Sequence, residues 1–192
     1  MSLYMNMTVK IITPSIDCLE SYKAALRTGW SPNTLRPEAA AEELEAISKD
    51  PHGFIIGLTD LEAKGEPIKM PDGSLAKRLP GFMSWIWDGE FCGVIGFRWQ
   101  HGSEDLPPHV PGHVGYSVVP WKSGKGYATS ALSQLLEKIS FTGLRHISIT
   151  TDPGNRASQR VVEKCGAVFC EEFQKSAALG GGSACRYQIN LT

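Results

Sequence analysis

The sequence predicts a single α+β domain over residues 8–192, built on a mixed, mostly antiparallel twisted sheet flanked by helices. Three observations carry this reading. Two aromatic and β-branched runs, 82–87 and 91–99, are joined by Asp88-Gly89-Glu90, and a D-G pair between such runs signals a hairpin with a type I′ turn. From residue 113 onward, short strand-like runs alternate with stretches of helical period. No internal repeat and no Pro/Ser linker divides the chain. At 192 residues and 42% hydrophobic, the chain is long enough to bury one sizeable core.

The elements follow in order. Residues 8–13 read as a strand ended by Pro14. Residues 16–28 place apolar side chains at 16, 19, 22, 25 and 26, a helical spacing that stops at Gly29. A second helix, 37–49, is entered through Pro37 and is acidic in its early turns, as the helix dipole favours. Residues 60–80, dense in Gly, Pro, Lys and Asp, read as an exposed loop. After the hairpin, a loop over 101–112 carries His101, Glu104, Asp105 and His109, and a strand over 113–119 is closed by Pro120. Residues 126–141 form the cleanest helix, with Ala128, Ala131, Leu132, Leu135, Leu136 and Ile139 on one stripe. Residues 146–151 are a strand, and 155–165 a helix with Asn155 as N-cap and Gly166 as its stop. Strands over 167–173 and 185–191 flank the turn Gly180-Gly181-Gly182. The resulting order is β-α-α-β-β-β-α-β-α-β-β.

Composition excludes several classes of function. Net charge is −1, from 19 Lys+Arg and 20 Asp+Glu, so no global field draws the chain to nucleic acid or an anionic membrane. No window reaches the roughly 18 apolar residues of a membrane span. Residues 1–7 lack the basic start and apolar core of a secretory signal. The five cysteines, Cys18, Cys92, Cys165, Cys170 and Cys185, are odd in number and form no C-x-x-C pair. A disulfide framework or a zinc site is therefore not expected, each cysteine reads as a small buried hydrophobe, and a reducing cytoplasm fits. Oligomeric state is not legible, and a homodimer stays open.

The chemistry concentrates in the turn from Pro120 to Ala128. A strand, a proline and Ser123-Gly124-Lys125-Gly126-Tyr127-Ala128 lead into a helix, whose first N–H groups and dipole suit an anion such as a phosphate or pyrophosphate. Gly124 and Gly126 let the backbone approach a bulky anion, and Lys125 adds a cation. A plain glycine-rich β–α turn would look the same. The Walker A spacing is absent. A dinucleotide fingerprint would need glycine where Thr129 stands, although Asp152 is placed to act as its ribose acid, and the preceding antiparallel hairpin argues against it.

Two further stretches assign the turn. Residues 155–166, Asn155-Arg156-Ala157-Ser158-Gln159-Arg160-Val161-Val162-Glu163-Lys164-Cys165-Gly166, resemble the N-x-A-S-x-x-V-x-E-K-x-G helix of GNAT-superfamily N-acetyltransferases. Val118-Val119-Pro120 with Ser123 to Ala128 resembles that superfamily's acyl-CoA motif. Gly112-His113-Val114-Gly115-Tyr116 is similar to a strand of its ribosomal-protein-acetylating and related branches. The resemblance is close over 112–167, the cofactor-binding part, and leaves 8–111 as the substrate side.

The resemblance implies acetyl-CoA as co-substrate, no metal, and transfer of the acetyl group to a primary amine on a small molecule or peptide. It implies that the Val118 backbone pairs with the pantetheine amides and that Ser123, Gly124, Lys125, Gly126, Tyr127 and Ala128 hold the pyrophosphate. Asn155 and Ser158 would face the thioester end. Two positions depart from the pattern. Ser123 replaces the usual Gln or Arg, leaving Lys122 or Lys125 to compensate, and Val162 replaces a frequent tyrosine acid, leaving Ser158 one turn earlier. His113 is the expected general base, because relatives often carry glutamate there and histidine titrates near neutrality. Its alternative role is a hydrogen bond within the strand. Glu104, Asp105, His101 and His109 are candidates for binding the amine, with a solvated loop as the alternative. A non-catalytic acyl-CoA sensor is the second functional reading.

Overall fold

A computed structural model describes residues 8–70 and 72–191; the signal-sequence expectation for residues 1–7 and the terminal Thr192 lie outside these. In chain order the strands and helices are β1 Lys10–Ile12, α1 Leu19–Arg27, α2 Ala39–Lys49, α3 Pro51–Gly57, β2 Thr59–Asp60, β3 Ile68–Lys69, β4 Leu75–Ala76, β5 Gly81–Trp87, β6 Phe91–Arg98, β7 Val114–Val118, α4 Tyr127–Lys138, β8 His146–Thr151, α5 Arg156–Lys164, β9 Val168–Gln174 and β10 Ser183–Asn190. They build an α+β fold in which every strand pairing is antiparallel.

The strands divide between two main sheets. One runs β1-β5-β6-β7 with β2 beside β5, and the other runs β8-β10-β9. Side chains alternate across each strand, so the first sheet buries both faces. Ile86, Ile95 and Phe97 join Leu132 and Leu135 of α4, and Ile139 just after it, in one core. Trp85, Phe91 and Val94 join Leu19, Tyr22 and Leu26 of α1 in the other. Tyr22 stacks on Trp85 with ring centroids 4.9 Å apart. Its hydroxyl donates to Glu43 and so ties α1 to α2. Burial pushes the Glu43 carboxyl up to about 7.

The structure departs from the sequence reading locally. The 16–28 helix begins as a 3-10 turn, Ile16–Cys18, before α1. An additional helix, α3, starts after Asp50, whose carboxylate accepts from the Gly53 N–H as an N-cap. Within 60–80 a small hairpin, β3–β4, forms and Met70 is buried. The β5–β6 hairpin forms as expected, but not through a type I′ turn. Trp87 pairs with Phe91, leaving a three-residue loop, and Asp88 does not adopt the positive φ that type I′ requires, since among the described non-glycine residues only Ala63 does. Cys92 and Cys185 are buried, whereas Cys170 is exposed on β9.

The feature that positions the site is the separation of β7 from β8. The two strands meet where the His113 N–H donates to the Ser148 carbonyl at 2.8 Å. The return bond does not reach a β7 carbonyl; the Ser148 N–H donates instead to Nδ1 of the His113 ring, at 2.9 Å. Backbone is tightly apposed here, since a side-chain carbon on Gly112 would meet the Ser148 carbonyl oxygen at 3.1 Å. The imidazole thus occupies the place of the next ladder bond, and the strands part beyond it.

His113 therefore sits at the junction of the two sheets. It is fully buried, its ring is stacked against Phe97, and its Nε2 has no hydrogen-bond partner. This burial favours the alternative role, a hydrogen bond within the sheet, because a general base must reach a substrate proton. Burial, reinforced by the neighbouring Arg98 charge, lowers its pKa to about 4. Between pH 4 and the ordinary histidine value near 6.5, the unfolded chain binds a proton that the folded chain refuses. Stability from this group is thus complete above about pH 6.5 and falls as pH falls, by about 2 kcal/mol at pH 5. His113→Asn keeps an acceptor for the Ser148 N–H and cannot titrate. Urea denaturation between pH 7 and 5 should show a smaller loss in this variant; parallel curves would contradict the assignment.

Candidate active site

The parting of β7 and β8 opens a groove of about 460 Å³. One wall is the free edge of β7. In an antiparallel ladder, alternate residues aim their N–H and C=O at the partner strand. The Val119 N–H and the His113 carbonyl both bond to β6, at 2.9 Å each. With Val118 opposite Gly93 and Tyr116 opposite Ile95, the backbone groups of Tyr116 and Val118 point the other way, into the groove. The sequence reading singled out Val118 as that edge, and it lines the groove.

The end wall is the turn before α4. Gly124 and Gly126 adopt φ of +76° and +78°, left-handed values that an L side chain rarely takes, and a Cβ at either would meet nothing within 4 Å. These glycines are present for backbone conformation, and they leave the approach open. Gly126 is the N-cap of α4, and no side chain caps the helix. The amides of Tyr127, Ala128 and Thr129 therefore have no helical acceptor. By contrast, α5 is capped by Asn155, whose Oδ1 accepts from the Ser158 N–H at 3.0 Å. An uncapped helix start beside two left-handed glycines is a site for an anion.

A buttress holds this turn against the β5–β6 hairpin. Asp88 accepts from the Tyr127 hydroxyl at 2.7 Å and from Lys122 Nζ at 2.9 Å, and Lys122 also reaches Glu90 at 2.7 Å. Burial raises the Asp88 pKa, but its hydrogen bonds to Tyr127 and Lys122 outweigh burial and hold it at about 2. Lys122 lines the groove but is engaged by two carboxylates, so of the two lysines expected to compensate for Ser123, Lys125 is the less committed. Lys125 is exposed at the turn and makes no ion pair among the described residues. Ser123 donates to the Val119 carbonyl at 3.3 Å.

The remaining wall is α5, which presents Ala157, Ser158, Arg160, Val161 and Lys164 to the groove. Val162 packs into the core instead. The Ser158 hydroxyl lies 2.7 Å from the Tyr116 hydroxyl of β7, so two hydroxyls meet across the opening. Arg160 and Lys164 stand one helical turn apart on this wall. Their i, i+4 spacing on the 155–165 helix was the available signal. Trp30 Nε1 donates to the Ser117 hydroxyl at 3.2 Å, anchoring the α1–α2 connection to β7, and Thr34 from that connection lines the groove.

The loop candidates lie elsewhere. Glu104 is paired with Arg145 at 2.9 Å, and this bond holds its pKa at about 2. His109 Nε2 lies 3.2 Å from the Lys77 carbonyl, and His101 packs edge-on to Trp99. Asp105 lines a smaller cavity of about 190 Å³ under the 104–111 loop, beside Arg186 and Phe173. No carboxylate or imidazole lines the larger groove among the described residues. Among those residues no group of three potential ligands is arranged for a metal ion, and no helix is long and apolar enough to cross a membrane.

Residues 23–168 match the sequence model of the acetyltransferase (GNAT) domain. No curated protein matches the chain in sequence. Among solved structures, the chain superposes on the microcin self-immunity acetyltransferase MccE, in complex with acetyl-CoA and AMP, with TM-score 0.63 and 14% identity over 95% of this chain and 92% of that one. The ribosomal-protein α-N-acetyltransferase RimL in complex with coenzyme A gives TM-score 0.61 and 13% identity, covering 96% of this chain and 95% of RimL. RimJ of Mycobacterium smegmatis, in complex with a CoA disulfide, gives 0.60 and 18%, covering 95% and 81%.

The glycine turn yields a stability test independent of any ligand. Gly126→Val forces a β-branched residue to positive φ and should destabilise the fold by about 1–2 kcal/mol. Ser123→Ala loses one weak bond and should stay within about 0.5 kcal/mol of the parent. Equal losses in urea denaturation would contradict the backbone reading of the turn.

Proposed function

The chain belongs to the acetyltransferase (GNAT) domain family, and from that premise we propose that its groove binds acetyl-CoA and delivers the acetyl group to a primary amine by direct attack. The observation that carries this reading is one continuous groove joining an unpaired strand edge to an uncapped helix start. Pantetheine is an extended chain with two amides and suits a strand edge. Pyrophosphate suits the helix start. Backbone N–H groups at Gly124, Gly126, Tyr127 and Ala128, with Lys125 nearby, hold the diphosphate. Arg160 and Lys164 add positive charge on the opposite wall.

At the thioester, the Tyr116 and Val118 backbone groups face the carbonyl, and an N–H there stabilises the negative charge that develops on its oxygen. Nitrogen attack forms the C–N bond. The C–S bond then breaks, and its electron pair leaves on sulfur. Ser158 donates a hydrogen bond to the departing thiolate, in place of the tyrosine that many relatives carry at position 162. With His113 enclosed in the sheet and no carboxylate in the groove, the amine loses its proton through water. The acceptor approaches from the side where Thr34 and the α1–α2 connection border the groove.

Calorimetric titration with acetyl-CoA, CoA and NAD tests the ligand class: acetyl-CoA should bind, and NAD should bind at least tenfold more weakly. Comparable affinities would overturn the reading. Thiol release with a panel of peptide, polyamine and small-molecule amines tests turnover. Ser158→Ala should lower kcat about tenfold with little change in acetyl-CoA affinity, the signature of one hydrogen bond strengthened in the transition state. His113→Asn should keep most of its turnover, and kcat/KM should rise with pH toward the acceptor amine's own pKa. Thiol release by no amine would leave a binding module that senses the acyl-CoA.

A further inference from the structure

The Tyr116 hydroxyl is the one polar side-chain group that crosses from β7 to α5 at the thioester end of the groove. It lies 2.7 Å from the Ser158 hydroxyl and 3.3 Å from the Ser158 carbonyl oxygen, and both side chains line the groove. We propose that Tyr116 is a positioning residue that donates its O–H to Ser158 Oγ, turning the serine proton toward the coenzyme sulfur. This rests on the coenzyme A reading of the groove.

The chemistry of the pair favours that direction of donation. Ser158 sits in the first turn of α5, where a serine hydroxyl readily turns back to backbone groups of its own helix. A donor at its oxygen leaves its single proton free for a partner in the groove. Tyr116 is suited to be that donor. Its ring is partly buried and its pKa is pushed up to about 12, with desolvation as the main cause, so it keeps its proton throughout the range in which a thiol ionises. The strand also fixes its position, because Tyr116 pairs with Ile95 on β6. The hydroxyl missing at Val162 of α5 is thus replaced by two residues, one on each lip of the opening.

The function so assigned is stabilisation of thiolate, and free CoA reports on it without an acceptor. The bound CoA thiol can be titrated through the ultraviolet absorbance of its thiolate, in the parent protein and in Tyr116→Phe and Ser158→Ala. Phenylalanine keeps the ring and its packing, and thermal melting checks that each variant is folded. In Tyr116→Phe the bound thiol should titrate about half to one pH unit higher than in the parent, the equivalent of one hydrogen bond, while the CoA dissociation constant at neutral pH stays within about twofold. Ser158→Ala should raise it at least as far, and Tyr116→Phe in that background should add no further shift. An unchanged titration in Tyr116→Phe with a raised one in Ser158→Ala would overturn the positioning role alone. Failure of the parent protein to bind CoA would overturn the groove assignment and this inference together.

Discussion

The organising constraint of this molecule is an interrupted ladder. At Ser148 the backbone N–H that would continue pairing β8 to β7 is taken by the His113 ring. An unpaired strand edge buried away from water is costly unless something satisfies it, and an exposed edge invites another chain. Here the unpaired edge faces a groove, closed on its far side by α5 and at its end by the turn into α4. The groove is therefore a consequence of how the two sheets meet, and the residues that hold them at that meeting point are structural.

This arrangement separates support from chemistry. Asp88, Lys122 and Tyr127 form a compact ionic and hydrogen-bonded cluster that ties the glycine turn to the first hairpin. None of these charges is free for a ligand. The groove is left with backbone donors, two cations on α5 and several hydroxyls, with the exposed Lys125 beside the turn. Such a surface would suit the proposed coenzyme, a long, flexible anion with backbone-like amides and phosphates, with little demand on individual side chains. That explains why Ser123 can stand where relatives carry a longer polar residue.

Most of the architecture was legible in the sequence because it rests on local signals. The aromatic runs on either side of Asp88-Gly89-Glu90 gave the hairpin, the apolar stripe from Ala131 to Ile139 gave α4, and Asn155 and Gly166 marked the ends of α5 as they stand in the structure. Other features depend on tertiary context. The short α3 was hidden because its seven residues carry no stripe, only the Asp50 cap. The split into two sheets depends on a side chain entering a ladder, which no periodicity records. The surroundings of His113 were hidden for the same reason: its burial is set by Phe97 and Ser148 from other strands. The pairing of Tyr116 with Ser158 spans 42 positions of chain and is likewise invisible to local pattern.

The central claim is that one ligand lies along the free edge of β7 from the α4 turn to the start of α5. Backbone amide NMR during an acetyl-CoA titration tests it most directly. The account predicts shifts that saturate together at Tyr116, Val118, Gly124 to Thr129 and Ser158, with the amides of β9 and of the β3–β4 hairpin unmoved. Shifts confined to the α4 turn would show an anion site without a coenzyme groove. Shifts centred on the smaller cavity near Asp105 and Arg186 would place the ligand elsewhere, and either result would contradict the account.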